Sequence, residues 1–382
     1  MSIRVLLVPH KTGLAHTIPL VALDRMLRER GVETAFQVAP IIHDAVRRMG
    51  VRILPVEHRG TIQSELNAYR DFEPDAVIDD CSPTTGFAAG VWGVPRITIQ
   101  RTGTFPSQRP GNPSHRHSLP VTRDSVPDLA RWGLSAPPDI AGYFDAPVKI
   151  VPGIRSVEVL PGALGDDPSY FFSGPLIADD VLLGVSGAPR EGESGGFAPL
   201  DAFFAANAGR DVVYFTHGLE APAAAAVAEC MRFVLEDGGA VVTSIPSRVL
   251  GEAYPGRFFH ASYLPLHHVC SRARLAVHHC GSATYHYPLL HEVPAITVGT
   301  RSYDRDDVAV RLEELGASRH LPAPDECGDF TARFVEAYRE CFAAGGEVYA
   351  RRKECAGRLA GEIRRTAAAF DVEEVLEAAG CM

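Results

Sequence analysis

The sequence lacks any run of apolar residues long enough to cross a membrane, so we predict no membrane-spanning helix. It also lacks an excess of basic residues: 37 Lys and Arg stand against 47 Asp and Glu, which gives a formal net charge of −10. A chain without surplus positive charge has no basic face with which to neutralise phosphates. This balance argues against a protein that binds nucleic acid.

Cysteine spacing typical of a disulfide or metal framework is missing as well. The eight cysteines are scattered through 382 residues, and the sequence contains no C-x-x-C pair. We therefore expect reduced thiols and a cytoplasmic protein. The opening "MSIRVLLVPHKTG" has only a short apolar stretch and no small-residue cleavage pattern, so it is interpreted as a first strand rather than a signal peptide.

Segments typical of strands and helices alternate along the chain. "IRVLLVP" predicts a buried strand, and residues 17–30 predict a helix in which Leu20, Leu23 and Leu27 recur at helical spacing. "ETAFQVA", "DAVIDD" and "PRITIQ" continue the pattern. It restarts at "DVVYFTHG" and runs through "GGAVVTSIP", "RLAVHHCG" and "PAITVG". Strand, helix and strand joined by tight loops form the unit of a parallel sheet, so the predicted class is α/β with two similar halves.

A stretch rich in Gly and polar residues separates the two halves and predicts a linker over residues 185–198. The predicted domains are residues 1–184 and 199–360. A helical pattern over residues 348–379 follows, and residues 361–382 are expected to pack back on the N-terminal domain. In such sheets ligands lie beyond the carboxyl ends of the strands, in the cleft between the halves.

The stretch "VHHCGSATYHYPLLHEVP" places a strand, a polar turn and a predicted helix in succession. A helix that begins near Ala283 would present unpaired N–H groups and positive dipole potential, which suits a phosphate. Gly281 permits close approach of the backbone, and His279, Ser282 and Thr284 add donors. Two other interpretations remain open here. The histidines and the cysteine are candidates for a metal site, although their spacing matches no common zinc motif, and the stretch is also compatible with a purely structural turn.

Further blocks resemble the family 1 (UDP-glycosyltransferase-like) glycosyltransferases, in their bacterial natural-product branch. Within residues 263–318, "YLPLHHV" is similar to the family's "W-x-P" segment, "HHCGSAT" to "HHGGxGT", "EVP" to "GVP" and "DRDDVA" to "DQxxNA". Upstream, "VYFTHG" resembles "VxVSxGS", and "AHTIPLVALDRMLRERGVETAF" resembles "GHxxPxxxLAxxLxxRGHxVxF". The resemblance rests on the order and spacing of the blocks. It implies a GT-B fold, with two Rossmann-like parallel-sheet domains that face a cleft.

The resemblance also implies that the C-terminal domain binds a nucleotide sugar, with UDP- or dTDP-linked donors expected. The implied donor-binding residues are Thr216, Gly218, Tyr263, Leu264, Pro265, His279, Cys280, Gly281, Ser282, Ala283, Thr284, Asp304 and Arg305. In this assignment the "HHCGSAT" block holds the diphosphate, and "YLP" borders the base. The carboxylate of Asp304 accepts hydrogen bonds from sugar hydroxyls.

The resemblance places the chemistry at His16, which matches the family's catalytic base. An imidazole with an ordinary pKa near ~6.5 is suited to take a proton from an acceptor hydroxyl. The start of a helix disfavours the imidazolium, so a neutral His16 is expected. A carboxylate should orient the ring, and Asp79 and Asp80 are the candidates, with Asp80 preferred.

The N-terminal domain is implied to bind a small-molecule acceptor. An irregular, locally basic segment begins at Arg101 and contains Arg109, so both residues are candidates for acceptor binding. No metal or other cofactor is expected if the donor site neutralises the leaving diphosphate. A homodimer is compatible with the sequence.

Several residues depart from the family pattern, and they keep other functions open. Cys280 replaces the usual glycine, Tyr287 replaces a glutamate that often binds ribose, and Pro288 implies a short or kinked helix. The prediction is an inverting glycosyltransferase of secondary metabolism. The alternatives are a nucleotide-sugar epimerase of the same fold, a non-catalytic partner protein and a glycosyltransferase that acts on an aromatic carbon.

Overall fold

The computed structural model describes residues 2–11, 13–105, 126–138, 141–178, 197–217, 224–301, 303–342 and 346–382. The chain divides into two compact units. The first contains residues 1–185 and 365–382, and the second contains residues 186–364. Each unit is built on a six-stranded parallel sheet, which confirms the predicted α/β class with two similar halves.

The first unit has the strand order β2-β1-β3-β4-β5-β6. Its strands are β1 Arg4–Pro9, β2 Glu33–Phe36, β3 Ala76–Asp80, β4 Arg96–Ile99, β5 Val148–Val151 and β6 Tyr170–Phe172. Its helices before residue 100 are α1 Ile18–Glu29, α2 His43–Arg47, α3 Ile62–Phe72 and α4 Thr85–Trp92. Short 3-10 turns connect several of the later segments.

The second unit has the strand order β12-β11-β10-β7-β8-β9. Its strands are β7 Val212–Phe215, β8 Ala240–Thr243, β9 Phe258–His260, β10 Leu275–His278, β11 Ala295–Val298 and β12 Ser318–Leu321. Its helices are α5 Ala198–Ala206, α6 Ala224–Glu236, α7 Arg248–Ala253, α8 Leu266–Cys270, α9 His286–Leu290, α10 Tyr303–Glu314 and α11 Phe330–Phe342.

The apolar character of the strands explains why helices cover both faces of each sheet. In β1, the four residues from Val5 to Val8 are fully buried, as expected for a strand in the middle of a parallel sheet. Helix α1 buries Leu20, Leu23 and Leu27 against this sheet and ends before Gly31, whose φ of 76° is readily adopted only by glycine. The loops at the carboxyl ends of the strands are thereby held on a rigid frame.

The C-terminal segment is two helices rather than the single one predicted. Helix α12 spans Glu347–Ala369 and α13 spans Val372–Ala378. The break occurs because Asp371 is extended and its carboxylate accepts the N–H of Glu373, which caps α13. Val375 and Leu376 pack in the core of the first unit, where the C-terminal helix was expected.

Most of the predicted linker, residues 185–196, lies outside the described residues, and α5 begins at Ala198. The exact domain boundaries therefore stay predictions. Each of the eight cysteines has a free thiol. None of the described helices combines the length and the hydropathy needed to cross a membrane.

Candidate active site

His16 lies in the loop after β1, at the end of a 3-10 turn over Leu14–His16 and just before α1. Asp80 ends the neighbouring parallel strand β3 and pairs in register with Pro9, the last residue of β1. The two strand ends therefore meet, and His16 Nδ1 lies 2.9 Å from Asp80 Oδ1. The carboxylate is fully buried, whereas 29% of the His16 side chain is exposed, so a substrate can reach the imidazole.

Arg101 follows the next strand, β4, and binds both oxygens of Asp80. Its Nη1 atom lies 2.6 Å from Oδ1 and its Nη2 atom lies 2.7 Å from Oδ2. Arg101 was predicted to bind the acceptor, but its side chain is buried and its guanidinium is held by Asp80. The structure thus places Arg101 with the carboxylate that holds His16. Arg109, the second predicted acceptor residue, lies outside the described residues.

Asp79 was the other candidate partner of His16, and the structure places it elsewhere. Adjacent residues of a strand point to opposite faces of the sheet. The Asp79 carboxylate accepts from Arg96 Nε at 2.8 Å and Nη2 at 3.2 Å. It also accepts from the hydroxyl of Thr98 and the N–H of Ser82. Of the two candidates, Asp80 contacts His16 and Asp79 is part of a separate buried network.

The charges near His16 favour its protonated form. Burial acts to lower the pKa of His16, but the Cys81 sulfur and the Asp80 carboxylate outweigh it and raise that pKa above its usual value. Burial likewise favours neutral Asp80, but Arg101 and His16 outweigh it and lower the pKa of Asp80 to about 2. The expectation of a neutral His16 is therefore wrong for the free protein, because Cys81 and Asp80 together raise the pKa of His16 more than burial lowers it.

A metal site is conceivable here, because a metal could be coordinated by the His16 imidazole, the Asp80 carboxylate and the Cys81 thiol. Their candidate ligand atoms lie within 4.8 Å of one another. Both Asp80 oxygens, however, already accept hydrogen bonds from Arg101, and Oδ1 also contacts His16. A guanidinium at this distance repels a cation, so the donor set fits a hydrogen-bonded dyad better than a metal centre. We name His16, Asp80, Arg101 and Cys81 the His16 site.

In the second unit, strand β10 ends at His278 and a turn over residues 282–285 leads into α9. The helix begins at His286 rather than near Ala283 as predicted. Pro288 explains the shift, since a proline is tolerated only in the first turn of a helix. No described residue accepts a hydrogen bond from the backbone N–H groups of Ser282, Ala283 and Thr284. These three donors are open to an anion.

His279 and Gly281 flank this turn closely. A Cβ atom added at Gly281 would lie 2.8 Å from Nε2 of His279, so only glycine leaves the imidazole in its place. Burial lowers the pKa of His279 well below its usual value, with further lowering by Arg305 and His217. His279 is therefore neutral at pH 7. We name His279, Gly281, Ser282, Ala283 and Thr284 the His279 site.

Cys280 is buried and adopts a φ of 53°, in the left-handed region. The family pattern has glycine at this position, and the backbone conformation supplies the physical reason. The N–H of Cys280 donates to Nδ1 of His278 at 3.2 Å. The sequence-based assignment placed Cys280 among the donor-binding residues, but its thiol is buried and is not exposed to a ligand at the turn.

The remaining predicted donor residues lie in three segments of the second unit. Thr216 follows β7, and its hydroxyl lies 3.2 Å from Ser244 Oγ. Asp304 and Arg305 are half-buried in the first turn of α10. Tyr263, Leu264 and Pro265 come directly before α8, with Leu264 buried. Gly218 lies outside the described residues.

Asp306 was not among the residues that the sequence singled out, whereas Tyr287 was noted there as a departure from the family pattern. The Asp306 carboxylate accepts the N–H groups of Thr300 and Arg301, each at 3.0 Å, and so shapes the loop before Asp304. Burial raises the pKa of Asp306 to about 6. Tyr287, which stands where the family often has a ribose-binding glutamate, is buried, with its ring 4.9 Å from that of His267.

No protein-family model matches the sequence, and no curated protein matches it. Solved structures do share its fold. The calicheamicin glycosyltransferase CalG4 is 19% identical, with a TM-score of 0.69 and 99% of each chain covered. SnogD, a glycosyltransferase from Streptomyces nogalater, is 19% identical with a TM-score of 0.65, over 99% of this chain and 100% of that one.

The spinosyn rhamnosyltransferase SpnG complexed with thymidine diphosphate is 16% identical, with a TM-score of 0.67, over 97% of this chain and 100% of that one. At such low identity these similarities establish the fold and leave the activity to be argued from the sites. The chain thus has the GT-B fold of bacterial natural-product glycosyltransferases, as the sequence predicted.

Proposed function

We propose that this protein is an inverting glycosyltransferase that moves a sugar from a nucleoside-diphosphate donor to a hydroxyl group of a small natural product. The observation that carries the proposal is the 2.9 Å contact between His16 and Asp80 in a chain that shares the fold of a glycosyltransferase over 99% of its length. Fold alone does not define an activity, so the proposal rests on what the two sites can do.

The His16 site is suited to remove a proton. Asp80 holds Nδ1 of the imidazole, which leaves Nε2 to accept the proton of an acceptor hydroxyl. The acceptor oxygen then forms its bond to the anomeric carbon as the bond from that carbon to the diphosphate breaks. A single displacement of this kind inverts the configuration at the anomeric carbon.

The pKa of His16 adds a condition to this chemistry. Because the free protein favours the imidazolium, His16 must lose a proton before it can act as a base. Transfer should therefore speed up as the pH rises above the ordinary histidine value of ~6.5. The imidazolium is the product of the step, and the same carboxylate stabilises it.

The His279 site is suited to hold the diphosphate. Three open N–H groups at residues 282–284 and a neutral imidazole at His279 can donate hydrogen bonds to phosphate oxygens. Arg305 lies close enough to affect His279 and adds positive charge. We propose that this cluster neutralises the leaving group without a divalent metal, and that Asp304 accepts hydrogen bonds from the sugar.

The neighbour SpnG has a structure complexed with thymidine diphosphate, which supports a dTDP- or UDP-linked donor here. To test the proposal, the protein is titrated calorimetrically with dTDP and UDP in the presence of a chelator. It is then incubated with dTDP- and UDP-sugars and a panel of hydroxylated natural products, and products are detected by mass spectrometry. We expect metal-independent nucleotide binding and a glycosylated product that is absent without acceptor.

Donor consumption that is independent of every acceptor would instead favour the epimerase alternative. Absence of any nucleotide binding would contradict the proposal and favour a non-catalytic partner protein. Nucleotide binding that requires a divalent metal would contradict the metal-free donor site but leave sugar transfer possible.

A further inference from the structure

Strand β3 ends with two consecutive carboxylates, Asp79 and Asp80, and each of them accepts two hydrogen bonds from one arginine. Arg96, at the start of β4, binds Asp79, and Arg101, just after β4, binds Asp80. The two arginines are equally buried, with 6% and 7% of their surfaces exposed. The difference that matters for the chemistry is that Asp80 contacts His16, whereas Asp79 accepts hydrogen bonds from Thr98 and Ser82 instead.

The backbone around Arg101 is held firmly, so its guanidinium has a defined position. The hydroxyl of Thr104 accepts the N–H of Arg101 at 3.1 Å and donates to its carbonyl at 3.0 Å. The next residue, Thr102, donates its N–H to the buried Glu158 carboxylate at 3.0 Å. A planar guanidinium on such an anchored loop fixes the plane of a carboxylate through two parallel bonds.

The charge of Arg101 also affects the protonation of His16. Alone, the buried Asp80 carboxylate would strongly favour the imidazolium. The guanidinium, at 2.6 and 2.7 Å from the two carboxylate oxygens, offsets that negative charge. Within the described part of the chain, the titratable groups near His16 or its immediate neighbours include His10, whose ring centroid lies 5.4 Å from that of His16, together with Lys11, His58, Asp79 and Cys81.

We propose that Arg101 is a positioning residue for the base. Through Asp80 it fixes the orientation of the His16 ring, and its charge lets His16 release the proton that Asp80 alone would retain. This inference rests on the proposed function of His16 as a base. Its physical core, the effect of Arg101 on the protonation of His16, can be measured without any sugar donor.

The test is an NMR titration of the His16 imidazole in the full chain, with His16→Ala used to assign the signals. Arg101→Gln removes the charge and should raise the pKa of His16 by about one unit or more, the scale of a nearby unit charge. Arg101→Lys retains the charge but loses the paired hydrogen bonds to Asp80, so the pKa of His16 should change less than in Arg101→Gln. Arg96→Gln is the matched control and should leave the His16 titration unchanged.

In the transfer reaction, Arg101→Gln should shift the acidic limb of the kcat/KM profile to higher pH. The shift should equal the change in the pKa of His16, and nucleotide affinity should change little. A His16 titration in folded Arg101→Gln equal to that of the original protein would overturn the proposal. So would an equal shift in Arg96→Gln. If Arg101→Gln does not fold, Arg101→Lys is compared with Arg96→Lys, and equal His16 titrations in these two variants would also overturn it.

Discussion

The two units place a histidine in the loop after a parallel strand, yet they give it opposite protonation. In the first unit, Asp80 and Cys81 raise the pKa of His16, although burial acts against them. In the second unit, burial, Arg305 and His217 lower the pKa of His279. The same strand–loop–helix unit therefore holds a histidine that favours the protonated form in one unit and the neutral form in the other. The neighbouring loops decide which, through the charges that they supply.

The largest effect is expected from removing the charge that distinguishes the His16 site. Asp80→Asn should lower the rate of sugar transfer on the order of 10²-fold or more, because the imidazole loses its orientation and its partner charge. Single-turnover measurements at saturating donor would show this loss as a change in rate rather than in nucleotide affinity.

The matched control is Asp79→Asn, which disturbs an equally buried ion pair that does not touch His16. It should reduce stability but leave most of the single-turnover rate of the folded protein. If Asp79→Asn were as slow as Asp80→Asn, the assignment of His16's partner would be wrong.

A smaller effect is expected in the second unit. Gly281→Ala places a methyl group against Nε2 of His279 and should displace the imidazole from the turn. Losing one charge-assisted hydrogen bond to the diphosphate should weaken dTDP binding about tenfold. Calorimetric titration measures the change. Gly328→Ala is the control, since a Cβ there meets no atom within 4 Å, and an equal loss of affinity in both variants would contradict the role of His279.

The two histidines should also contribute to stability with opposite dependence on pH. A raised pKa stabilises the folded state fully below the unfolded value of ~6.5, and this contribution is lost as the pH rises toward the folded value. A lowered pKa destabilises the folded state as the pH falls below ~6.5. On raising the pH from about 5 to 9, a range that spans ~6.5, the contribution of His16 should therefore fall and that of His279 should rise.

Urea unfolding of the original protein, His16→Gln and His279→Gln across this range measures both contributions. His260→Gln, which changes an exposed histidine, is the control. If the contributions of His16 and His279 to stability changed in the same direction with pH, the claim that the two histidines have oppositely shifted pKa values would be wrong.

The smallest effect is expected at Tyr287. Its buried ring packs against His267, and phenylalanine keeps that ring, so Tyr287→Phe should leave dTDP affinity unchanged and change stability by about 1 kcal/mol or less, the usual effect of one buried hydroxyl. Paired calorimetric and urea-unfolding measurements separate the two effects. A clear loss of affinity without loss of stability would place Tyr287 in contact with the nucleotide instead.

The sequence predicted the sheets well because their information is local. Short apolar runs such as that of β1 are bounded by turns, and the leucines of α1 recur at helical spacing. The contact between His16 and Asp80 could also be predicted, since neighbouring parallel strands have their carboxyl ends at the same edge of the sheet.

Other features depend on information that no local pattern contains. Arg101 is 21 residues from Asp80, and the direction of its side chain depends on the hydrogen-bonded turn after β4. The break before α13 depends on a single cap at Asp371, and the late start of α9 on Pro288. The raised pKa of His16 reflects its three-dimensional proximity to Cys81 and to the buried Asp80 carboxylate, whose combined effect exceeds that of burial.

The central claim is that the first unit supplies the base and the second unit holds the nucleotide. The most direct test compares His16→Ala with the original protein in two measurements on the same samples, dTDP affinity by calorimetry and the single-turnover rate of transfer. We predict equal affinity and a rate that is lower by about 10²- to 10⁴-fold, the usual contribution of a general base. A rate reduced by less than about tenfold, well below that contribution, would contradict the claim, as would a loss of dTDP affinity large enough to account for the slower transfer.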